Sequence, residues 1–252
     1  MAKLFLKSQK GSGIIDTDRN TAYVKGKTFT LDPNLVFSPG DMISLQGEDY
    51  AVLHPEPLFF RDFAKRTAQI IQPWDAAAIL MYCSISSGKR VLESGSGSGA
   101  LSSAILNAVG PTGHLTTVEK DEGNIKIALE NVSLTGDVSN WKIVKSSIEE
   151  FSSEEKYDAI VLDVPEPWGA VDKLYKNLVS GGKICCYSPT YNQLEKNVAS
   201  LKRSNFLILE SFELLKRNIL VRENATRPDN EIIGHTAFMT FAAKMSGRKN
   251  RV

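Results

Sequence analysis

Hydrophobic and polar residues alternate in short runs over the N-terminal part of the chain. Turns rich in Gly, Pro and Asp separate these runs, which read KLFLKSQ, GIIDTD, TAYVKG, TFTL, MISLQGE and DYAVLH. Alternation of this kind places apolar side chains on one face of a strand and polar ones on the other. The pattern predicts a small all-β domain, a sandwich or a barrel, over residues 1–62.

A second pattern follows the proline-containing segment HPEPLFFRDF. Stretches that suit helices now alternate with short apolar strands. The predicted helices are DAAAILMYCSI, ALSSAILNAV, residues 122–134, AVDKLYKNLV and NQLEKNVASLK, and the predicted strands are KRVLES, HLTTVE, WKIVKS, YDAIVLDV, GGKICCYS, FLILESFELLKR and HTAFMTFAAK. Strands and helices in alternation predict a Rossmann-like α/β domain over residues 63–252, built on a doubly wound, mostly parallel seven-stranded sheet.

The composition is that of an ordinary globular protein, with 42% hydrophobic and 23% charged residues among 252. The net charge is only +1, so a nucleic-acid partner has to be met by local basic patches. The candidates for such a patch are Lys216, Arg217, Arg222, Arg227, Lys244, Arg248, Lys249 and Arg251. A solvated chain end explains the last four equally well.

The three cysteines, Cys83, Cys185 and Cys186, are an odd number, and two of them are adjacent in a predicted strand. This favours buried thiols in a reducing compartment over disulfides. The apolar runs are much shorter than the roughly 18 residues of a membrane-spanning helix, and the first residues lack the apolar stretch of a signal peptide. We therefore expect a cytoplasmic protein without a membrane partner.

The first candidate ligand-binding segment is the stretch ESGSGSG, Glu93 to Gly99, which directly follows an apolar strand. A glycine-rich turn between a strand and a helix lets a ligand approach the backbone closely, although a plain tight turn is the alternative. Glu93 precedes the first glycine, and Glu119 closes the next strand, where the ribose hydroxyls of an adenosine cofactor are usually accepted. Together these residues favour a nucleotide-type cofactor.

The spacing of the glycines distinguishes two cofactors. NAD sites carry G-x-G-x-x-G, whereas Gly95, Gly97 and Gly99 are each two positions apart, a pattern that looks like S-adenosylmethionine (SAM) binding. The carboxylate of Glu93 also attracts the ammonium and sulfonium of SAM, while it would repel a pyrophosphate. The sequence therefore predicts a SAM-dependent methyltransferase and disfavours an NAD-linked oxidoreductase.

The stretch LDVPEPW, Leu162 to Trp168, places Asp163 at the end of a central strand, beside the expected methyl donor. A helix cap is the alternative role for such an aspartate, but the prolines stiffen the loop. Exocyclic-amine methyltransferases carry Asn/Asp-Pro-Pro-aromatic here, so a ring nitrogen such as adenine N1 is the better acceptor. That nitrogen needs placement rather than a strong base, and Asp163 is suited to accept a hydrogen bond from the N6 amino group as charge develops.

Five segments of the chain carry a family resemblance: RTAQIIQPWD (Arg66 to Asp75), ESGSGSGAL (Glu93 to Leu101), LDVPEPW, YSPTYNQ (Tyr187 to Gln193) and RPDNEIIGHTAF (Arg227 to Phe238). In this order they resemble the tRNA (adenine-N1)-methyltransferases of the T-loop, which modify tRNA position 58 and, in some archaeal members, also 57. The small β domain in front fits the architecture of that family, and we expect an archaeal member.

The resemblance implies a role for individual residues, with Asp163 as the catalytic one. It implies that the cofactor is bound by Glu93, Gly95, Ser96, Gly97, Ser98, Gly99, Leu101, Glu119, Ser147 and Ile148, and the substrate by Gln69, Gln72, Pro165, His235 and Thr236. Two positions depart from the family pattern. Gln72 stands where many relatives have Tyr, and Ser147–Ile148 where many have Asp.

The resemblance also implies tRNA as the partner and a homotetramer, in which basic patches of several subunits combine. No metal is expected, because His54, His114 and His235 lack the spacing of metal ligands. Two other interpretations stay open: a SAM-dependent methyltransferase acting on a protein or small molecule, and a non-catalytic tRNA-binding subunit.

Overall fold

The N-terminal part of the chain forms an antiparallel sheet in this computed structural model, which describes residues 3–65 and 69–247. Its strands are β1 (Lys3–Lys7), β2 (Ser12–Asp16), β3 (Thr21–Val24), β4 (Lys27–Thr30), β5 (Met42–Leu45) and β6 (Glu48–Leu53). They lie in the order β4-β3-β2-β1-β6-β5. Leu4, Leu6, Ile15 and Val52 are buried together in its core. The small all-β unit predicted from the alternating pattern is therefore confirmed.

The proline-containing segment after β6 packs against this sheet. It forms a 3-10 turn at Pro57–Phe59 and the short helix α1 at Phe60–Phe63. The ring of Phe59 stacks on that of Phe5 in β1, with 4.6 Å between ring centroids. Phe60, in contrast, is buried in the core of the larger part of the molecule. Adjacent aromatic residues thus contact both parts, and a domain boundary after residue 62 stays a prediction.

The C-terminal part contains a second, larger sheet and one short hairpin. Its strands are β7 (Arg90–Ser94), β8 (His114–Glu119), β9 (Trp141–Lys145), β10 (Tyr157–Leu162), β11 (Leu178–Ser188), β12 (Phe206–Phe212), β13 (Ile219–Leu220), β14 (Arg227–Pro228) and β15 (Phe238–Lys244). Seven of them form a sheet in the order β12-β15-β11-β10-β7-β8-β9, and β13 pairs with β14. Neighbours in the large sheet are parallel except at β15, which is antiparallel to β11 and β12. The predicted doubly wound, mostly parallel seven-stranded sheet is confirmed.

The helices that follow α1 are α2 (Pro73–Tyr82), α3 (Ala100–Val109), α4 (Glu122–Val132), α5 (Val171–Tyr175) and α6 (Tyr191–Arg203). The helix predicted over AVDKLYKNLV is wrong in its second half, because β11 already begins at Leu178 and pairs with Tyr157 of β10. The Asn177 side chain fixes this early start by donating to the carbonyls of Ser153 and Glu155. Among the described residues, no helix is long and apolar enough to cross a membrane.

The larger sheet is buried on both faces. Successive residues of a strand point to opposite sides, and Val91 and Leu92 of β7 accordingly enter two different hydrophobic clusters. Helices α2 and α3 pack on the Val91 side, whereas α5 and α6 pack on the Leu92 side. The adjacent Cys185 and Cys186 divide between the clusters in the same way. Both, like Cys83, are buried free thiols, as the sequence predicts.

The winding direction of the sheet reverses between β7 and β10. From β7 the chain continues to β8 and β9 on one side, and then returns to β10 and β11 on the other. Such a reversal opens a crevice at the carboxyl ends of the strands. Ser94 and Leu162, the last residues of β7 and β10, are paired in register, and the amide of Asp163 donates to the Ser94 carbonyl over 2.9 Å. The fold thus places the glycine turn beside Asp163.

Candidate active site

A cavity of about 450 Å³ opens at this crevice. The predicted site residues that line it are Gln69, Gly95, Gly97, Glu119, Ser147, Ile148, Asp163, Pro165 and Thr236. The predicted site residues that do not line it within the described chain are Glu93, Ser96, Ser98, Gly99, Leu101, Gln72 and His235. Residues 66–68 of the segment RTAQIIQPWD lie outside the described residues, as do Arg248, Lys249 and Arg251.

The three glycines of the turn have different surroundings. A Cβ on Gly95 would lie 2.2 Å from the Asp163 carbonyl oxygen, and one on Gly99 would lie 2.6 Å from Cγ2 of Val132. Both are therefore needed for packing within the protein. A Cβ on Gly97 would meet no described atom within 4 Å. Gly97 alone among the three leaves its space open, and it is the glycine that a ligand can approach.

Glu119 shapes the turn from the neighbouring strand. Its Oε2 accepts from the amide and the hydroxyl of Ser96, over 3.0 Å and 3.2 Å. Its Oε1 accepts from the amide of Asp121 over 2.9 Å. The carboxylate therefore fixes the glycine turn while it also lines the cavity. A carboxylate has about four lone-pair sites, so Glu119 keeps capacity to accept one further hydrogen bond from a ligand.

Glu93 lies inside the sheet, behind the cavity wall. It is fully buried, and its Oε2 accepts from Ser102 over 2.6 Å and from Thr117 over 2.7 Å. Its Oε1 has no partner among the described residues. Burial raises the pKa of Glu93 to about 7, and the two hydroxyl hydrogen bonds oppose that rise. Contact between Glu93 and a cofactor ammonium stays a prediction.

Other predicted site residues also lie behind the wall. Leu101 is buried in the hydrophobic core on the α2 and α3 side, and the Ser98 carbonyl accepts from the Asn131 side chain over 2.9 Å. The Gln72 amide donates to the Ile70 carbonyl over 3.0 Å and accepts from Arg61 over 3.2 Å. Gln72 is thus engaged away from the cavity, and the substrate role that the resemblance implies for it stays a prediction.

Asp163 is the carboxylate at the centre of the cavity wall. Its backbone is fixed by the bond to Ser94, whereas its side-chain oxygens make no hydrogen bond to any residue in 3–65 or 69–247. Burial raises the pKa of Asp163 to about 7, and repulsion from Glu119 adds to the rise. Because the described residues give this carboxylate no hydrogen-bond partner, it is available to bind a ligand group that carries a hydrogen or a positive charge.

The loop before β15 closes another side of the cavity. His235 contributes to its order, because one ring nitrogen lies 2.8 Å from Glu213 Oε2 and the other 2.8 Å from the Pro189 carbonyl. Both partners are acceptors, which favours the doubly protonated ring, and the Glu213 contact raises the pKa of His235. Thr236 lines the cavity and is buried, yet its hydroxyl has no partner among the described residues.

Sequence reasoning missed several residues of the wall. The additional lining residues are Ile70, Ile71, Ser94, Val118, Lys120, Asn124, Ser146, Glu149, Val164, Tyr187 and Pro189. It also missed the bond from the Tyr187 hydroxyl to Asp75 Oδ2, 2.9 Å long. Both residues lie within segments that carry the family resemblance, but the contact itself has no local sequence signal. Within residues 3–65 and 69–247 there is no group of three His, Cys, Asp or Glu side chains arranged to hold a metal ion.

Comparison with known proteins identifies relatives of this chain. The model of the family described as tRNA methyltransferase complex GCD14 subunit matches residues 50–227. A Methanocaldococcus jannaschii protein, tRNA (adenine(57)-N(1)/adenine(58)-N(1))-methyltransferase TrmI, is 29% identical over 228 residues, which cover 80% of this chain and 81% of that protein.

Two solved structures resemble the whole chain. The tRNA (m1A58) methyltransferase TrmI of Aquifex aeolicus has a TM-score of 0.81 at 26% identity, covering 97% of each chain. A Thermotoga maritima protein described as a SAM-dependent O-methyltransferase has a TM-score of 0.86 at 29% identity, covering 98% of this chain and 94% of that one. The family match includes the glycine turn, the strand that ends before Asp163 and β11. The chain belongs to the family of tRNA methyltransferase complex GCD14 subunits.

Proposed function

We propose that this protein transfers a methyl group from SAM to N1 of adenine 58 in the T-loop of tRNA. The observation that carries the proposal is the Asp163 carboxylate beside the glycine turn, which has no hydrogen-bond partner among the described residues, in a chain of this family. The M. jannaschii and A. aeolicus relatives are named for N1 methylation of adenine in tRNA. Adenine 57 is a second candidate position, because the M. jannaschii relative is named for both.

The cavity suits SAM in size and in charge. Its volume of about 450 Å³ lies in the range of small-molecule sites, roughly 300–1,000 Å³. Glu119, Glu149 and Asp163 line it together, so it attracts a ligand with positive groups and disfavours a pyrophosphate. The open space at Gly97 allows close approach to the backbone. When bound, SAM supplies an electrophilic methyl group.

The residues that would hold SAM come from three neighbouring loops. The Gly95–Gly97 turn and Glu119 line one part of the cavity, and Ser147 and Ile148 line another. Glu119 would accept from hydroxyl groups with its remaining lone pairs. Ile148 is almost fully buried and offers an apolar surface to a base. Ser147 and Ile148 contribute a hydroxyl and an apolar surface to this wall, and the neighbouring Glu149 contributes a charge.

Asp163 stabilises the positive charge that develops on the adenine base during methyl transfer. The N1 lone pair of adenine is free at neutral pH, so positioning supplies most of what the transfer needs. Methylation leaves the base with a positive charge. The Asp163 carboxylate accepts a hydrogen bond from the N6 amino group and stabilises that charge, in a recess where such interactions are stronger than in water.

Several apolar residues exclude water from this recess. Ile70, Ile71 and Val118 are buried and line the cavity, together with the partly buried Val164. The target adenine lies inside the folded T-loop, and the enzyme must extrude it from its stack at a cost of a few kcal/mol. We infer that contacts with the rest of the tRNA supply this energy. A homotetramer in the cytoplasm, with basic patches of several subunits combined, would provide them.

O-methyl transfer to a small molecule is the competing function, because the T. maritima protein bears that description. A neutral hydroxyl acceptor needs a base to remove its proton, whereas adenine N1 does not. Asp163, whose pKa is raised to about 7, could serve either chemistry. The described lining of the cavity contains no histidine, and its one lysine is Lys120. The experiment below separates these functions.

The test is incubation of the protein with isotopically labelled SAM and unmodified tRNA transcripts, followed by digestion and nucleoside analysis by mass spectrometry. We expect labelled N1-methyladenosine, absent when adenine 58 is replaced by uracil. Transcripts with adenine 57 replaced report on the second position. Label in ribose 2′-O-methyl nucleosides, or no label in tRNA with purified, SAM-binding protein, would contradict the proposal.

A further inference from the structure

A buried hydrogen-bond network lies behind the cavity wall and is not used by the methyl transfer described above. Its centre is Asp75, the third residue of α2, whose side chain has no exposure to solvent. Tyr187, near the carboxyl end of β11, donates its hydroxyl to Asp75 Oδ2 over 2.9 Å. Tyr187 and Thr236 both line the cavity. The network therefore connects the interior of α2 to the place where a substrate would bind.

The direction of the Tyr187 hydrogen bond is fixed. Burial and the Asp75 charge raise the pKa of Tyr187 above its ordinary value, so the phenol keeps its proton. A carboxylate oxygen accepts and does not donate. Burial raises the pKa of Asp75, whereas the Thr236 and Tyr187 hydroxyls and the position of Asp75 in the first turn of α2 oppose that rise and favour the ionised form. The Tyr187 hydroxyl therefore directs its single hydrogen to Asp75. The remaining lone pairs of the Tyr187 oxygen can only accept hydrogen bonds.

Thr236 supplies a second hydroxyl near Asp75, but it makes no hydrogen bond to it. The Asp75 Oδ1 atom and the Thr236 hydroxyl are both buried without a hydrogen-bond partner among the described residues. Burial raises the pKa of Asp75, and interaction with the Thr236 hydroxyl opposes that rise, so the two groups are near each other. A small rotation that points the Thr236 hydrogen at Oδ1 would satisfy both atoms. It would leave the Thr236 oxygen as a second acceptor at the cavity wall.

We propose that Tyr187, oriented by Asp75, determines the specificity of this site for a base with an amino group. This inference rests on the proposed function and deepens it. Adenine presents the N6 amino group as a donor, while guanine and hypoxanthine present the O6 acceptor at that position. An amino group has two hydrogens, so Asp163 and Tyr187 accept one each. An O6 atom would face two sets of lone pairs and be rejected.

Asp75 is a positioning residue in this scheme, because it acts through Tyr187 and does not touch the substrate. Without its carboxylate the phenolic proton is free to point into the cavity. The Tyr187 oxygen would then present a donor as readily as an acceptor. The selectivity for an amino group would fall even though the shape of the pocket is kept.

The test compares two tRNA substrates, one with adenosine and one with purine riboside at the target position. Purine riboside keeps the ring nitrogen and lacks the amino group. The measured quantity is kcat/KM for the adenosine substrate divided by kcat/KM for the purine riboside substrate, in the full-length protein. We expect Tyr187→Phe to lower this ratio about tenfold, the effect of losing one hydrogen bond. Asp75→Leu, which has a similar volume and offers no acceptor to the Tyr187 hydroxyl, should lower it in the same direction with Tyr187 in place.

The matched control is Tyr157→Phe. Tyr157 is also buried, and its hydroxyl lies 3.4 Å from Glu155 Oε2 at the opposite end of the sheet. Its removal should leave the ratio unchanged. A merely structural role of Tyr187 would slow both substrates equally, and an unchanged ratio would overturn the inference. If Tyr187→Phe does not fold, the Asp75→Leu ratio decides. No N1-methyladenosine from the wild type would instead overturn the proposed function, a distinct result.

Discussion

Two cavities of nearly equal volume share Ile70 and Ile71 as a common wall, and only one of them has the chemistry of an active site. The cavity at the carboxyl ends of the strands has about 450 Å³ and is lined by Glu119, Glu149 and Asp163. The second, an apolar groove of about 440 Å³, is lined mainly by residues of the 56–61 segment, α2 and α3. Volume therefore does not distinguish the two sites.

The difference follows from which parts of the backbone surround each cavity. The sides of a helix have their backbone groups bonded within the helix, and α2 and α3 offer the groove chiefly Ala76, Ala77, Leu80 and Ala104. The ends of parallel strands expose free backbone groups and turns. Polar side chains such as Asp163 and a glycine turn can be placed there without breaking the core. The contrast suggests experiments that affect one cavity and spare the other.

The largest effect is expected from Asp163. Asp163→Ala and Asp163→Asn should lower the rate of methyl transfer to tRNA by roughly 10²–10³-fold, the usual cost of removing a group that stabilises transition-state charge. SAM binding should remain, because Asp163 holds no part of the glycine turn through its side chain. Single-turnover kinetics and calorimetry measure the two quantities. The control is Asp172→Asn at an exposed position of α5, and an Asp163→Ala variant as fast as the wild type would remove this carboxylate from the mechanism.

The next effect separates two glycines of the same turn. Gly95→Ala should fail to fold stably, because its Cβ would lie 2.2 Å from a backbone oxygen. Gly97→Ala meets no such clash, and its φ of 47° costs about 1–2 kcal/mol for a residue with a side chain. We expect it to fold and to lose SAM affinity. Thermal unfolding and calorimetry show both results, and unchanged SAM affinity in Gly97→Ala would place the ligand elsewhere.

A smaller effect concerns pH. The pKa of Asp163 is raised to about 7, and only the ionised form is a pure acceptor. As pH falls through about 7, protonation removes that form. The value of kcat/KM for SAM, which reports the free enzyme, should therefore drop about tenfold between pH 8 and pH 6. The inflection should vanish in Asp163→Asn. If it persists there, Glu93, whose pKa is also raised to about 7, is the titrating group.

The smallest effect is expected in the apolar groove. Ala77→Trp adds a large side chain to the exposed face of α2 that lines this groove. Methyl transfer and SAM binding should stay within about twofold of the wild type, since surface substitutions away from a site change little. A large loss of activity with unchanged thermal stability would show that the groove takes part in function. It would contradict the assignment of function to the cavity at the strand ends alone.

Much of the fold follows from local patterns in the sequence. Alternation of apolar residues indicates the strands of both sheets, and the period of the helical segments indicates all the long helices of the C-terminal part. The early end of the short helix α5 does not follow from this reasoning. The residues KNLV suit a helix by propensity, but Leu178 joins the parallel ladder beside Tyr157. Tertiary pairing decides such a segment, because the energy of a buried strand outweighs a weak helical preference.

For single residues of the candidate site, too, the local sequence pattern and the tertiary structure give different information. The motif ESGSGSG makes three glycines look alike, whereas the structure assigns two to internal packing and leaves Gly97 open to a ligand. Glu93 reads as a cofactor contact in sequence, yet it is buried among Ser102 and Thr117. Spacing along the chain gives the order of residues on a turn. It does not give the direction of a side chain relative to the neighbouring strand.

The sequence by itself determined the two sheets, the cofactor class expected from the glycine turn, and Asp163 as the residue to examine. Each of these depends on neighbours along the chain, where periodicity and turn chemistry act. Only the tertiary structure decided that the Asp163 side chain has no hydrogen-bond partner within residues 3–65 and 69–247, that Gly97 faces the cavity and that Tyr187 donates to Asp75. These properties arise from contacts between segments far apart in sequence, and burial and hydrogen bonding at such contacts depend on how the whole chain packs.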